Sequence, residues 1–144
     1  MASPRARLRA AMGECLGRIR RVDGFATDAG QAFTLEPGQV DADESAVLTV
    51  LITKQQRATQ PALVRTHRLT TAAVVIKVPS PPGAEQSELD DAISDVETAF
   101  TGQQSRFPQG IEFPQYVSME PVPPEPGSGW VGAVVTYQSH IPIQ

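Results

Sequence analysis

"ESAVLTVLITK", residues 44–54, carries the reading of the fold. Val47, Thr49, Leu51 and Thr53 alternate with Leu48, Val50, Ile52 and Lys54, and β-branched residues recur throughout, so the stretch reads as a strand with one side-chain set on each face. A second strand pattern runs from Thr66 to Val78 and stops at "PSPPG". Neighbouring strands of this kind pair as a hairpin, and the polar segment between them, "QQRATQPALVR" at 55–65, becomes its tip, too long for a tight turn.

Upstream, Leu8, Ala11, Met12, Cys15, Leu16, Ile19 and Val22 fall three and four apart, which puts them on one stripe of a helix. Ser3-Pro4 supplies the cap and first-turn proline, and Gly24 the stop. Gly13 and Gly17 lie inside this pattern; since glycine costs about 1 kcal/mol against alanine in a helix, close packing against another element is expected there. "GFATDAGQAFTLEP", 24–37, reads as a turn at Thr27 to Gly30 followed by a short strand, Gln31 to Glu36, ended by Pro37-Gly38. In that turn Asp28 is expected to accept hydrogen bonds from nearby backbone amides, and Gly30 to take a positive φ.

Downstream, "SELDDAISDVETAFTG" has Ser87 as N-cap, acids in the first turn, a stripe of Leu89, Ala92, Ile93, Val96 and Phe100, and Gly102 as stop. A loop with Pro108 and Pro114 follows, and "QYVSMEP" and "WVGAVVTYQSHIP" form a last pair of strands around "VPPEPGSG". The order α-β-β-β-α-β-β predicts an α+β fold: an antiparallel or mixed sheet of about five strands, two helices on one face, and an extended β-hairpin loop, in a single domain over 1–144.

Composition narrows the chemistry. Cys15 is the only cysteine, so neither an intrachain disulfide nor a Cys-rich zinc site is available, and a thiol on the buried stripe of a helix is inert. Apolar and Arg residues interleave from Leu8 to Val22 with no continuous apolar run, so no membrane segment is expected and cytoplasmic synthesis fits. The net charge of -4 conceals a segregation: six Arg against Glu14 alone in residues 1–21, and six acids without a base from Glu85 to Glu97. His67 and His140 both fall in strand patterns with no second ligand at metal spacing, and read as exposed or hydrogen-bonded strand residues. "DADE" at 41–44 opens like a calcium loop, but Ala46 and Ile52 stand where that loop needs Gly and a bidentate Glu. Neither a nucleophile elbow nor a phosphate-cradling glycine loop occurs. Trp130, Phe25 and Phe33 read as core or interface anchors.

The whole pattern, an Arg-containing helix, "GFATDAG", an extended hairpin, an acidic helix and the closing "WVGAVVTYQSHI", resembles the tail terminator, or minor tail, proteins of long-tailed bacteriophages. That resemblance implies a structural virion protein with no catalytic centre, cofactor or metal. It implies a ring, six-membered in that family, that caps the head-proximal end of the tail tube, stops tube growth and offers a surface to the head-completion or neck protein. Genomic DNA would pass through the lumen without specific binding, and assembly would take place in the bacterial host cytoplasm. On this reading subunit contacts are expected to join Arg5, Arg9, Arg18 and Arg21 to an acidic element of the next copy, either Asp41, Asp43 and Glu44 or the helix at 85–97. Gln56, Arg57, Thr59 and Gln60 at the hairpin tip, with Pro124 and Glu125, are expected to meet tube or neck, while Asp28 and Gly30 only turn the chain.

Three other readings stand beside it: a different phage neck ring component, such as a head-completion or connector protein; a small-molecule-binding or enzymatic α+β domain with Thr27, Asp28 and His67 around a pocket; and an Arg-helix nucleic-acid binder, disfavoured by the acidic balance and the lack of aromatics in that helix.

Overall fold

Ser3 accepts a hydrogen bond from the Ala6 amide at 3.2 Å and Pro4 occupies the first turn, which starts helix α1, Pro4–Leu16. The structure, a computed structural model, describes residues 2–35, 47–79, 85–122 and 130–144. The predicted stripe holds from Leu8 to Ile19, all of it buried. Val22 departs from it and is 87% exposed. The helix ends at Gly17, and a short 3-10 turn, Arg21–Asp23, follows, so the helical period no longer governs position 22. Gly24, with φ +94°, closes that short turn and not the helix.

The strand expected at Gln31 to Glu36 is not formed over its described part. Residues Ala29–Ala32 make a 3-10 turn, and Phe33 contributes only one parallel bridge to Leu48. The reason is local: Gly30 donates to the Ile19 carbonyl at 3.0 Å, which ties the start of the segment to the end of α1, so that contact with β1 narrows to the Phe33 bridge and the Thr34 amide, which donates to the Leu48 carbonyl at 2.9 Å.

The sheet therefore has four strands among the described residues, all antiparallel: β1 (Val47–Arg57), β2 (His67–Pro79), β3 (Gln115–Val122) and β4 (Trp130–Pro142), in the order β1-β2-β4-β3. The expected hairpin is β1 with β2, paired from Val47↔Lys77 to Arg57↔Arg68 with a bulge between Ile52 and Lys54. Because β1 continues to Arg57, Gln56 and Arg57 are strand residues and the tip shortens to 58–66, tightened by a 3-10 turn at Pro61–Leu63. Thr59 and Gln60 remain at the exposed tip.

Between β2 and β3 runs helix α2, Glu85–Ala99. It begins two residues before Ser87, so Ser87 sits in the first turn and is not its cap; Glu85 and Gln86 are good helix formers and extend it. Gln86 also donates to Asp90 one turn on, at 3.0 Å. Gly102, at φ +73°, lies just beyond the end.

Both helices cover the same side of the sheet. Leu8, Met12 and Leu16 of α1 and Leu89, Ile93 and Val96 of α2 share one buried cluster with Leu48, Val50, Val74, Ile76, Ala133 and Val135, which alternate along their strands and hence share a face. Gly13 shows why the helix carries glycine: a Cβ there would lie 2.6 Å from the Phe33 ring, which packs over the helix at that point. Phe25 also packs against the core. Among the described residues no helix is long and apolar enough to cross a membrane.

Candidate functional site

The "ATDAG" step is bound to the body of the protein through one acid of α2, which its place in a run of acids does not single out. Asp95 is buried, and its carboxylate accepts from the amides of Ala26 (3.1 Å) and Thr27 (2.8 Å) and from the Thr27 hydroxyl (2.7 Å). Asp28 accepts from the Arg21 amide at 2.9 Å, as expected of a turn aspartate, and its other oxygen lies 4.0 Å from the Arg21 guanidinium. Gly30 has no positive φ, contrary to expectation. Its need is space: a Cβ would stand 2.7 Å from the Gly17 carbonyl oxygen and 2.8 Å from the Ile19 nitrogen.

The arginines of the first segment hold α1 in place. Arg9 donates through Nε to the Val50 carbonyl at 3.0 Å and through Nη2 to that of Leu35, Arg18 reaches the Ala99 carbonyl at 2.6 Å, and Arg5 bonds the Gln55 side chain at 3.0 Å. Arg21 donates to the Ala26 carbonyl at 3.0 Å. All four expected interface arginines thus have partners within the chain, although Arg5 and Arg21 stay exposed. Asp41, Asp43, Glu44, Pro124 and Glu125 lie outside the described residues, as does the side chain of Trp130.

A constellation not foreseen from sequence joins the hairpin tip to β4. His140 is buried; its Nδ1 lies 3.1 Å from Glu112 Oε1, and its Nε2 lies 3.2 Å from both the amide and the hydroxyl of Thr59. The backbone N–H of Thr59 must find an acceptor in Nε2, which puts the ring proton on Nδ1, donated to Glu112. Hydroxyl, imidazole and carboxylate in that order resemble a catalytic triad, but the lone pair that would take the hydroxyl proton is already engaged by a fixed amide. Glu112 additionally accepts from the His140 amide at 3.2 Å, so the set works as a pin between tip, loop and strand. Glu112 comes from a loop 28 residues away, and no spacing rule would have found it. His67 is likewise tied down, to Thr66 Oγ1 at 2.7 Å and the Gly110 carbonyl at 3.2 Å. Thr27, Asp28 and His67 thus bond to separate partners, Thr27 to Asp95, Asp28 to Arg21 and His67 to Thr66 and Gly110. No group of three His, Cys, Asp or Glu residues that could hold a metal occurs among the described residues.

Two surface features remain. At the far end of α2 a cleft of about 430 Å3 is walled by Phe100, Phe113, Tyr116 and Tyr137, with Glu97 at its margin. Tyr137 packs 4.9 Å from the Phe100 ring and 6.0 Å from Tyr116, edge to face in the latter case, and Tyr116 is 53% exposed. Burial, reinforced by the nearby Glu97 carboxylate and by Tyr116, raises the Tyr137 hydroxyl well above the ordinary value of 10.0. Holding the neutral phenol in the fold while the unfolded chain ionises means stability is full below about pH 10 and falls as pH rises above it. Chemical denaturation between pH 9 and 11 should show this loss, and Tyr137→Phe should flatten it; an unchanged alkaline slope in the variant would refute the assignment.

The second feature is the hairpin. Residues 45–84 contain Lys54, Arg57, Arg65, Arg68 and Lys77 and not one acid, a bias legible in the sequence but overshadowed by the arginines of the first helix. Arg57 stands directly opposite Arg68 across β1 and β2, and with Gln55, Gln56 and Val64 they line a recess of about 410 Å3. The structure thus brings two of the expected contact residues, Gln56 and Arg57, to one recess and leaves Thr59 in the His140 pin. No protein-family model matches the chain, and a search of curated proteins returned no relative.

Proposed function

We propose that this chain is a structural subunit that assembles head to tail into a closed ring, of the tail terminator kind, which caps a phage tail tube at its head-proximal end and presents a surface to the neck. One observation carries the reading: charge is segregated along the chain, with an all-cationic hairpin that includes edge strand β1 and the acids of α2 elsewhere, a distribution suited to copies of one polypeptide meeting unlike face to unlike face. The arginines of α1 and the Asp95 knot serve the subunit's own shape, so repeated modest contacts around a ring would supply the hold on a tube. Six copies, a tube protein and a neck protein as partners, and DNA passing through an unliganded lumen belong to this proposal.

Sedimentation velocity and electron microscopy of the purified chain should give closed rings, and removing its gene from the phage should give tails of abnormal length. Normal tails without the protein, or turnover of a small substrate by it, would overturn the reading.

A further inference from the structure

We infer that the aromatic cleft at the end of α2 receives the Arg57 side chain of a second copy of this chain, an inference that rests on the ring reading and names its contact. Three observations meet here. Arg57 and Arg68 are register partners on β1 and β2, and like charges placed directly opposite destabilise a sheet. Arg57 is exposed, and among the described residues its side chain has neither hydrogen bond nor ion pair to relieve that repulsion. An anionic partner outside the subunit would relieve it.

The cleft has the chemistry that a guanidinium needs. Its exposed Tyr116 ring offers a face for a flat cation, Phe100, Phe113 and Tyr137 exclude water around it, and Glu97 supplies a carboxylate. Glu97 is itself exposed and forms no ion pair among the described residues, as is true of Glu88 and Asp91 on the same helix. Arg57 closes edge strand β1, whereas Tyr116 lies on β3, the opposite edge of the sheet. Three strand spacings, roughly 14 Å, separate those edges, and the register sets the two four residues apart along β4, Tyr116 level with Tyr137 and Arg57 with Ile141, roughly another 13 Å. One side chain cannot span that gap within a subunit, so the two meet only between subunits, always in the same sense. That is the geometry of a heterologous, ring-forming contact.

Charge exchange tests it on the full chain. Arg57→Glu should weaken self-association at least tenfold while raising the melting temperature of the isolated subunit, because it turns the Arg57/Arg68 repulsion into an attraction. Glu97→Arg should weaken association similarly, and an equimolar mixture of the two variants should restore it, since each interface then joins opposite charges. Ring assembly indifferent to both substitutions would overturn the contact and leave the ring reading standing. Assembly into open chains that responds to the exchange would support the contact and refute the ring. A wild-type chain that stays single at all concentrations, with no disulfide trapped on mixing Arg57→Cys with Glu97→Cys, would overturn both.

Discussion

Gly30→Ala should destabilise the subunit by about 3 kcal/mol, the upper part of the range for forcing an extra carbon into a filled site. The added Cβ would press on the Gly17 carbonyl carbon at 2.8 Å, its oxygen at 2.7 Å and the Ile19 nitrogen at 2.8 Å. All three are backbone atoms, and none can rotate away. Relief requires the Ala29–Ala32 turn to lift from the end of α1, which breaks the Gly30 to Ile19 hydrogen bond as well. Gly24→Ala is the control: its φ of +94° strains alanine, but no atom lies within 4 Å, so about 1 kcal/mol is expected. A thermal melt in which Gly30→Ala falls no further than Gly24→Ala would show that the close approach carries no cost; otherwise a drop on the order of 10 °C is expected.

Asp95→Ala should cost a further large amount, about 2–3 kcal/mol, because hydrogen bonds to a charged acceptor are strong and three donors lose that acceptor together. The Ala26 and Thr27 amides and the Thr27 hydroxyl would all be released at once. Thr27→Ala removes just one of these bonds, and Asp95→Asn keeps one carbonyl acceptor, so both should fall between the wild type and Asp95→Ala. Hydrogen exchange at Ala26, Thr27 and Gly30 should accelerate selectively in Asp95→Ala. Equal exchange across the molecule, or denaturant midpoints for Asp95→Ala and Thr27→Ala that coincide, would show that Asp95 does not organise the segment.

Periodic elements were legible because repetition averages out local accidents. The α1 stripe from Leu8 to Ile19, the α2 stripe from Leu89 to Phe100 and the long hairpin all follow from spacing alone. Failures arose where a tertiary contact outweighs a local rule. Residues 31–35 have strand-like composition, yet Gly30 ties them to α1. Ser87 is a good cap, yet helix formers precede it. Gly30 reads as a conformational glycine and is a steric one, because sequence cannot distinguish a missing Cβ needed for φ from one needed for room. The candidate contact surface was half visible. The acids of α2 were plain, but the cleft is assembled from Glu97, Phe113, Tyr116 and Tyr137, which meet only once α2 has been laid across the sheet.

Strand order has a consequence for how copies are made. β4, which follows β3 in sequence, fits between β2 and β3 and is not added at an edge. While a chain is being synthesised, β2 must therefore wait with an open flank, and on a crowded polysome the nearest matching β4 can belong to a sister chain. Under the ring proposal, a subunit made in many copies side by side would depend on the β3–β4 hairpin closing on its own β2 before a neighbour's does, to emerge as a separate building block and not as an interlocked pair.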